Sequence, residues 1–456
     1  MFFKKKKNIF LIFAPIILIF YILIHKKIMN PPEAFLHYIW QNKLFYINNL
    51  TTIDGMSVEV INVGEANTDA GPDFFNAKIK IGDTLWAGNV EIHTHASDWK
   101  KHKHLTDRAY DNVILHVVTD ADMQIFRTNG TKIPQMLLKY PNEILCNYTQ
   151  LLSEENKILC EKRINEVPQI IINSWKTALL TERLQQKTSA IFDILVQNKN
   201  NWDDAFYDIL ARNFGFSTNS EPFEQLAKSL PQNILAKHKN DILQIEAMLF
   251  GQAGLLPAQS TDNYVITLKN EYSFLSKKYN LKPIDNSQWK LLRLRPDNFP
   301  HVRIAQFAAL VRQSTRLFSK ILETDDIKTL RKMFVCEPSD FWQTHYRFEN
   351  QSQLKSKKLS RQSVDILLIN TVVPMLFAYS NKRTNPNLED AAMTILEQLP
   401  AEKNSVIAHW NAIGVAAKNA ADSQALLQLK KHYCDKKKCL HCRIGHKIVA
   451  KNHEIS

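Results

Sequence analysis

Glycine is scarce in this sequence, and its few positions are unevenly spread. Only 11 of the 456 residues are glycine, and six of these lie between Gly55 and Gly130. Because glycine supplies the backbone conformations of tight turns and weakens helices, this asymmetry predicts a turn-rich β region early in the chain and a mostly helical remainder. The predicted fold class is therefore α+β, with a small mixed β-sheet core followed by a large all-helical region.

Acidic residues are missing from the start of the chain, where a long apolar run occurs. Residues 8–24 are flanked by lysines and have the character of a membrane span, near the lower length limit. The same run could be a signal-peptide core, although no small-residue cleavage site follows it. It could also be part of a mis-called start, because Met29 opens an amphipathic segment typical of a soluble N-terminus. The expected location is cytoplasmic, or the inner membrane if residues 8–24 are a genuine anchor.

Positive charge is concentrated at the two ends of the chain, which carries a formal net charge of +13. The lysines before Met29 contribute six charges and the residues from Lys430 onward contribute six more, so the body carries only about one. A high net charge often indicates nucleic-acid binding. Because the charge here lies at the ends, composition alone does not establish such a partner.

The length predicts two or more domains with a substantial core. The contents of 45% hydrophobic and 23% charged residues are those of an ordinary globular protein. Strand-like alternation ends near Tyr140, after which the apolar period becomes that of helices. The interrupted apolar run 366–379 is predicted to be a buried core helix. The predicted division is a hydrophobic segment 1–28, an α/β domain 29–140, a helical domain 141–430, and a basic cysteine-rich tail 431–456 packed on the body.

The stretch from Asp69 to His116 holds the densest group of ionisable side chains. Its alternation of apolar and polar residues predicts a hairpin and one further strand, at 78–81, 85–93 and 112–118. The hairpin would bring Asp73 beside Glu91, and residues two apart share a strand face, which adds His93. Two such carboxylates can hold Mg²⁺ or Mn²⁺ and activate water for attack on a phosphodiester. In the plainer interpretation, Asp73 caps a turn and the histidines are solvated surface groups.

Histidines in the same stretch support a second hypothesis, a zinc-dependent hydrolase of small substrates. The candidate ligands are His93, His95, His102 and His104. His93-x-His95-x-x-Asp98 is close to the H-x-H-x-D-H pattern of metallo-β-lactamases, but one residue too many precedes the aspartate and no histidine follows it. This departure places the zinc hypothesis second.

Cysteine is also scarce, but three of the six cysteines cluster near the end with the spacing Cys-x4-Cys-x2-Cys: Cys434, Cys439 and Cys442. Thiolates so placed can close on Zn²⁺ or an iron–sulfur cluster, each of which normally needs four ligands. The fourth ligand could be distant Cys160, or His441 or His446. Neighbouring lysines would lower the thiol pKa values. In the alternative interpretation, the three cysteines are free thiols in a basic tail. A disulfide framework is a weaker alternative, because the other cysteines are scattered along the chain. We therefore expect a reducing compartment.

A basic turn contains three further candidates for contacts to DNA or RNA: Arg293, Arg295 and Arg303. Prolines make this segment a rigid turn entering a helix, where arginines could grip phosphates. In the alternative interpretation the segment is an interdomain strut, and its arginines pair with acidic side chains.

Four motifs resemble those of a bacterial family of unknown function. They are N-x-D-A-G-P-D-F at 67–74, G-N-V-E-I-H at 88–93, D-W-x-x-H-x-H at 98–104 and V-I-L-H-V-V at 113–118. The resemblance extends through 295–303 and the Cys434–Cys442 cluster, so it covers roughly Met29 to the C-terminus. It favours Met29 as the natural start and implies no established activity.

The segments 71–74 and 90–93 are also similar to the PD-(D/E)XK motif of restriction-endonuclease-like enzymes. Asp73 matches the first acid and Glu91 the second, which implies a restriction-endonuclease-like sheet and nuclease activity. His93 stands where that superfamily has lysine, and a histidine is largely neutral near pH 7. Some helicase-associated nucleases of the superfamily carry an iron–sulfur cluster held by one distant cysteine and three C-terminal cysteines. The arrangement of Cys160 with the three C-terminal cysteines resembles this scheme, although the spacing differs.

A metal-dependent nuclease acting on DNA or RNA is thus the leading hypothesis, with Asp73 and Glu91 holding the metal and His93 positioning water. The zinc hydrolase is the second hypothesis. The third is a non-catalytic nucleic-acid-binding or scaffold protein that retains a nuclease-like fold.

Overall fold

The structure, a computed structural model, describes residues 31–314 and 316–451, which fall into two units. The first unit comprises the residues up to Trp175 and those from Lys430 onward, and the second comprises Lys176–Leu429. A mixed sheet in the first unit is followed by a large helical region, so the predicted α+β class is confirmed. The apolar run 8–24 and the alternative start at Met29 lie outside the described residues.

The first unit is built on a six-stranded sheet with the order β1-β3-β4-β5-β6, in which β2 also pairs with β3. Three pairs are antiparallel: β1–β3, β2–β3 and β3–β4. The other two pairs, β4–β5 and β5–β6, are parallel. The strands are β1 Val58–Asn62, β2 Glu65–Ala66, β3 Phe74–Ile81, β4 Thr84–His95, β5 Val113–Asp120 and β6 Gln135–Leu137.

The predicted hairpin is present as β3 and β4, and the predicted third strand is β5. Ile81 pairs with Thr84 across a two-residue turn in which Gly82 has a φ of 59°. Glycine suits this turn because it adopts positive φ without steric cost. Val90 and Ile92 of β4 are fully buried, as strand alternation predicts.

Helix α1, Glu33–Gln41, packs against β4. Its apolar stripe, which includes Phe35 and Ile39, is buried. The helix ends where Lys43 takes a left-handed backbone conformation with a φ of 50°. Because Glu33 and His37 lie four residues apart, both side chains stand on one face of α1.

The connection from β4 to β5 is short and irregular. Helix α2 spans only Asp98–Lys101, and two 3-10 turns follow at His104–Thr106 and Arg108–Tyr110. Lys103, with a φ of 65°, breaks the helix. The turns bring Trp99 into a small core with Tyr110, Val113, Ile125 and Ile133. This core fixes the positions of His102 and His104.

The end of the chain folds onto the first unit. A 3-10 turn at Glu161–Glu166 follows helix α3, Asn142–Ser153, and the terminal segment contains α18, Arg443–Val449. The Asn147 side-chain amide donates to the Val449 carbonyl at 3.3 Å, and Tyr38 Oη lies 2.9 Å from His446 Nδ1.

The second unit is helical apart from one small hairpin, β7 His345–Arg347 and β8 Asn350–Gln351. Helix α4, Gln169–Gln197, begins in the first unit and continues into the second. The remaining helices are α5 Trp202–Phe214, α6 Ser220–Ser229, α7 Gln232–Ala236, α8 Ile242–Gln252, α9 Asn263–Tyr279, α10 Pro300–Gln313, α11 Leu317–Leu322, α12 Ile327–Phe334, α13 Arg361–Leu367, α14 Val373–Arg383, α15 Pro386–Gln398, α16 Ser405–Ala412 and α17 Ala420–Leu429.

Within the described residues, the helical stretch Arg361–Arg383 is long and apolar enough to cross a membrane, with a mean hydropathy of 1.5. However, 83% of its apolar window is buried inside the protein. Such burial is typical of a core helix and agrees with the core helix expected at 366–379.

Candidate functional site

The two predicted carboxylates lie beside one another where β3 and β4 pair. Asp73 immediately precedes β3, and the pairing of Phe74 with Val90 places it next to Glu91. The Asp73 backbone N–H donates to Glu91 Oε2 at 3.1 Å, and the Ile92 backbone N–H donates to Asp73 Oδ2 at 2.9 Å. Each carboxylate is therefore held by the backbone of the opposite strand segment.

Burial makes this pair electrostatically unfavourable without a cation. Glu91 is only 4% exposed. Burial, followed by the nearby charge of Asp73, raises the pKa of Glu91 to about 9. A buried carboxyl group such as that of Glu91, with another acid beside it, either keeps a proton or binds a cation, because desolvation and like charge both disfavour its ionisation. The pair thus has the charge pattern of a divalent-cation site.

Helix α1 adds two groups that the sequence reasoning did not identify, Glu33 and His37. His37 Nε2 lies 3.2 Å from Asp73 Oδ2, and Glu33 Oε1 lies 3.7 Å from His93 Nε2. Burial lowers the pKa of His37, but the hydrogen bond and charge of Asp73 outweigh it, so the net pKa is raised. Burial and then Asp73 raise the pKa of Glu33. The only sequence signal was an acid and a histidine four residues apart on an amphipathic helix.

Three histidines form a cluster, and two of them contact Glu91. The ring nitrogens of His93, His102 and His104 all lie within 4.8 Å of one another. Glu91 Oε1 lies 3.4 Å from His93 Nε2 and 3.2 Å from His104 Nε2, although the latter approach lacks hydrogen-bond geometry. Three imidazoles and one carboxylate form a donor set suited to Zn²⁺ or a similar metal.

The central imidazole of this cluster is neutral. His93 Nδ1 lies 2.9 Å from His116 Nε2, and His93 Nε2 lies 3.1 Å from His102 Nδ1. Burial, followed by the neighbouring His116, lowers the pKa of His93 to about 2. Burial likewise lowers the pKa of His116 to about 3. The neutral form is the one that binds metals or orients water.

His95, the remaining histidine of the zinc hypothesis, lies apart from the other three. It is at the end of β4, where it pairs with Asp120, and its Nδ1 lies 3.0 Å from Asp120 Oδ2. It belongs to a second, more exposed group with Asp120 and Asp122. Strand alternation predicted that His95 would lie on the same face as His93. At the end of β4, however, His95 contacts Asp120 of β5 and not the other histidines.

Four cysteines line one cavity of about 20 Å³ in the first unit, together with Tyr433. They are Cys160, Cys434, Cys439 and Cys442, all with free thiols. Lys437 lowers the pKa of Cys439, in the direction that the sequence suggested, but burial and then the charge of Cys442 outweigh it and raise this pKa to about 11. Burial also raises the pKa of Cys442.

The local histidines do not line this cavity. His446 instead contacts Tyr38, and His441 is exposed on the 3-10 turn Cys439–His441. Of the three alternatives for a fourth ligand, Cys160 is therefore the one that the structure brings to the C-terminal cysteines.

The three arginines of the basic turn occupy different environments in the second unit. Arg303 is only 7% exposed, in α10, whereas Arg293 and Arg295 are exposed. Arg303 makes no ion pair within the described residues; it contacts the neutral side chains of Asn298 and Gln306. The three side chains therefore do not form one exposed phosphate-binding face.

Comparison with known proteins yields a family and no described activity. Neither a curated protein nor a solved structure matches the chain. One family model matches residues 33–405, a range that contains the carboxylate and histidine cluster and Cys160 but ends before Cys434. Because this match covers most of the sequence, the chain belongs to the family described as "Protein of unknown function (DUF2851)".

Proposed function

We propose that the protein is a metal-dependent nuclease that cleaves phosphodiester bonds of DNA or RNA. The observation that carries the proposal is the Asp73–Glu91 pair, held on adjacent strand segments by reciprocal backbone hydrogen bonds. Carboxylates are the ligands preferred by Mg²⁺ and Mn²⁺, and a cation there supplies charge stabilisation and a more acidic water. The raised pKa of Glu91 supports a site whose charge is completed by a cation.

The surrounding residues would orient the reactants. Burial keeps His93 neutral, and its Nε2 lies 3.4 Å from Glu91 Oε1. Once the 3.1 Å contact between this nitrogen and His102 Nδ1 opens, the imidazole can hold a water molecule beside the carboxylates. The Ile92 backbone N–H holds the Asp73 carboxylate in place, and His37 Nε2 lies 3.2 Å from the same oxygen, Asp73 Oδ2. His93 replaces the lysine of the PD-(D/E)XK motif, so the positioning group here carries no charge.

The experiment that tests the proposal is cleavage of single- and double-stranded DNA and RNA by chelator-treated protein resupplied with Mg²⁺ or Mn²⁺. Asp73→Asn and Glu91→Gln remove a charge with little change in volume. Each is expected to reduce cleavage by at least about 100-fold. The matched controls Asp83→Asn and Glu59→Gln change exposed acids of the same sheet and should retain activity. Wild-type protein without cleavage, or full activity of Asp73→Asn, would contradict the proposal.

A second candidate, a zinc-dependent hydrolase, is favoured by the convergence of His93, His102 and His104. His102 distinguishes the two functions because its side chain is exposed and its removal should preserve the fold. If the protein is a zinc hydrolase, His102→Ala loses stoichiometric zinc and zinc-dependent ester hydrolysis. If it is the proposed nuclease, His102→Ala retains Mg²⁺- or Mn²⁺-dependent cleavage. Absence of both metal binding and hydrolysis would leave the scaffold hypothesis.

We also propose that Cys160, Cys434, Cys439 and Cys442 hold an iron–sulfur cluster or Zn²⁺. The support is that two segments far apart in sequence place four thiols around one buried cavity. Four thiolates complete the ligand set of either centre. Such a centre would join the terminal segment to the rest of the first unit.

A further inference from the structure

Two adjoining cavities in the second unit share one wall. The first has a volume of about 290 Å³ and the second about 330 Å³. Both are lined by Asn298, Arg303, Ser360 and Ser363. Spaces of this size are typical of small-molecule sites. None of these residues belongs to the proposed nuclease site.

Arg303 is a buried cation without a carboxylate partner. Its Nη1 donates to Gln306 Oε1 at 2.9 Å, and its Nη2 donates to Asn298 Oδ1 at 2.5 Å and to Ser363 Oγ at 3.3 Å. These acceptors are all neutral. The buried Nε has no hydrogen-bond partner, and no acidic side chain of the described residues lies within 4.0 Å of this guanidinium.

An uncompensated buried charge is costly, so a guanidinium in this state normally faces an anion. Burial lowers the pKa of Arg303 only to about 10, which leaves the group charged at neutral pH. The Nε–H is unpaired, while Nη2 of the same guanidinium contacts Ser363 Oγ. An oxygen of a tetrahedral anion would supply the acceptor that Nε lacks. Arg303 thus has both the charge and the donor for a phosphate.

The second cavity has an excess of positive charge. Besides Arg303, four basic side chains line it: Arg295, Lys355, Lys357 and Lys358. Asp297 is the one acid among its lining residues. Asp297 is already paired, since Lys355 Nζ donates to its Oδ2 at 2.7 Å. Lys357 is only 3% exposed and contacts backbone carbonyls and the Tyr346 ring. Lys358 is also paired, since its Nζ lies 3.1 Å from Glu337 Oε2. The basic side chains still outnumber these two acids, which favours an anionic occupant.

The first cavity has an aromatic wall. Phe216 is partly exposed, and its ring centroid lies 4.0 Å from the Arg303 guanidinium carbon. Phe216 and Ser217 both have positive φ, 44° and 69°. Such strained backbone is retained where the surrounding structure or a function requires it. The loop holds an aromatic face beside the Arg303 guanidinium.

We propose that these cavities bind a small phosphorylated molecule with an aromatic portion, such as a nucleoside monophosphate. The phosphate would contact Arg303 and Ser363 at the shared wall, and the aromatic portion would lie against Phe216. Burial of Arg303 excludes the phosphate backbone of a duplex from this donor, because a duplex cannot enter a cavity of about 290 Å³. The inference is independent of the nuclease proposal.

Isothermal titration calorimetry of the full-length protein with AMP, adenosine, inorganic phosphate and a single-stranded oligonucleotide tests this inference. AMP is expected to bind at least about tenfold more tightly than adenosine or phosphate, because it uses both walls. Arg303→Gln should weaken AMP binding by at least about tenfold. Arg293→Gln is the matched control: it changes an exposed arginine of the same segment outside both cavities and should leave AMP affinity unchanged.

If Arg303→Gln does not fold, Lys358→Gln replaces it, since Lys358 is exposed and lines the second cavity. It should weaken AMP binding severalfold. Absence of AMP binding to wild-type protein would overturn the proposal. Equal AMP affinity of wild type and Arg303→Gln, or oligonucleotide binding that depends on Arg293 without AMP binding, would also overturn it.

Discussion

At the scale of single residues, Glu246 shows how burial determines a protonation state that no local pattern indicates. Its side chain in α8 is fully buried. It accepts hydrogen bonds from Tyr264 Oη at 2.9 Å and Ser339 Oγ at 2.8 Å. Burial raises the pKa of Glu246 to about 7, because the hydrogen bonds only partly offset desolvation.

This raised pKa predicts a loss of stability as pH rises. The unfolded side chain titrates near 4.5 and the folded one near 7, so the folded state holds the proton more tightly. The corresponding stabilisation, roughly 3 kcal/mol, is fully present below about pH 4.5 and is lost as pH rises through about 7. Glu246→Gln mimics the protonated acid, so it should match wild type near pH 4.5 and be more stable near pH 8.

Urea unfolding at several pH values measures this difference. Glu323→Gln, a change at an exposed acid of the same unit, is the control and should show no pH-dependent difference from wild type. If Glu246→Gln and wild type keep the same relative stability from acid to alkaline pH, the folded pKa of Glu246 is not raised.

The carboxylate and histidine cluster follows the same physics. Residue identity and strand alternation alone predict that Asp73, Glu91 and His93 lie together. Their protonation states could not be predicted from the sequence. The pKa of Glu91 is raised and that of His93 is lowered by burial, which distant elements and neighbouring imidazoles produce. Burial and the neighbouring imidazoles therefore lower the pKa of His93 below the ordinary value for a histidine.

At the scale of elements, the β4–β5 contact depends on one glycine. A Cβ at Gly88 would lie 2.4 Å from Ile114 Cγ2 and 2.7 Å from the Asn112 carbonyl oxygen. Neither distance is tolerated, and the backbone oxygen cannot move freely. Glycine is therefore required where these two parallel strands begin to pair.

We expect Gly88→Ala to reduce the free energy of unfolding by roughly 1–3 kcal/mol, because β4 or β5 must shift. The metal binding proposed at Glu91 should weaken as well, since Glu91 lies three residues further along β4. Thermal unfolding and metal titration measure the two effects. Gly82→Asn is the control, because a Cβ there meets nothing within 4 Å and asparagine tolerates its φ of 59°. Unchanged stability of Gly88→Ala would show that the strands are not packed this closely.

At the scale of the whole molecule, the segment from Lys430 onward belongs to the first unit, and its three cysteines line one cavity with Cys160. The metal proposal predicts that anaerobically purified protein contains iron and sulfide, or zinc. Cys439→Ser and Cys160→Ser should each lose this metal and lower the melting temperature, since the centre links distant segments.

Metal analysis and thermal melting check this prediction. Cys146→Ser changes an exposed cysteine outside the cavity and should keep the metal. Metal-free protein with four freely titrating thiols would contradict the proposal. Full metal retention by Cys160→Ser would contradict the assignment of the fourth ligand.

The sequence alone determined the α+β class, the β3–β4 hairpin with its turn at Gly82, and the juxtaposition of Asp73 and Glu91. These features follow from periods of two and 3.6 residues and from turn chemistry, which act over a few neighbouring positions. The cysteine spacing likewise marked three of the four thiols that share a cavity.

Only the tertiary structure decided which distant groups complete each cluster. It added Glu33 and His37 to the carboxylates, separated His95 from His93, and buried Arg303 away from Arg293. It also set the pKa values of the buried acids and histidines. The physical reason is that desolvation and charge coupling depend on every element packed around a group, and these elements are far apart in the chain.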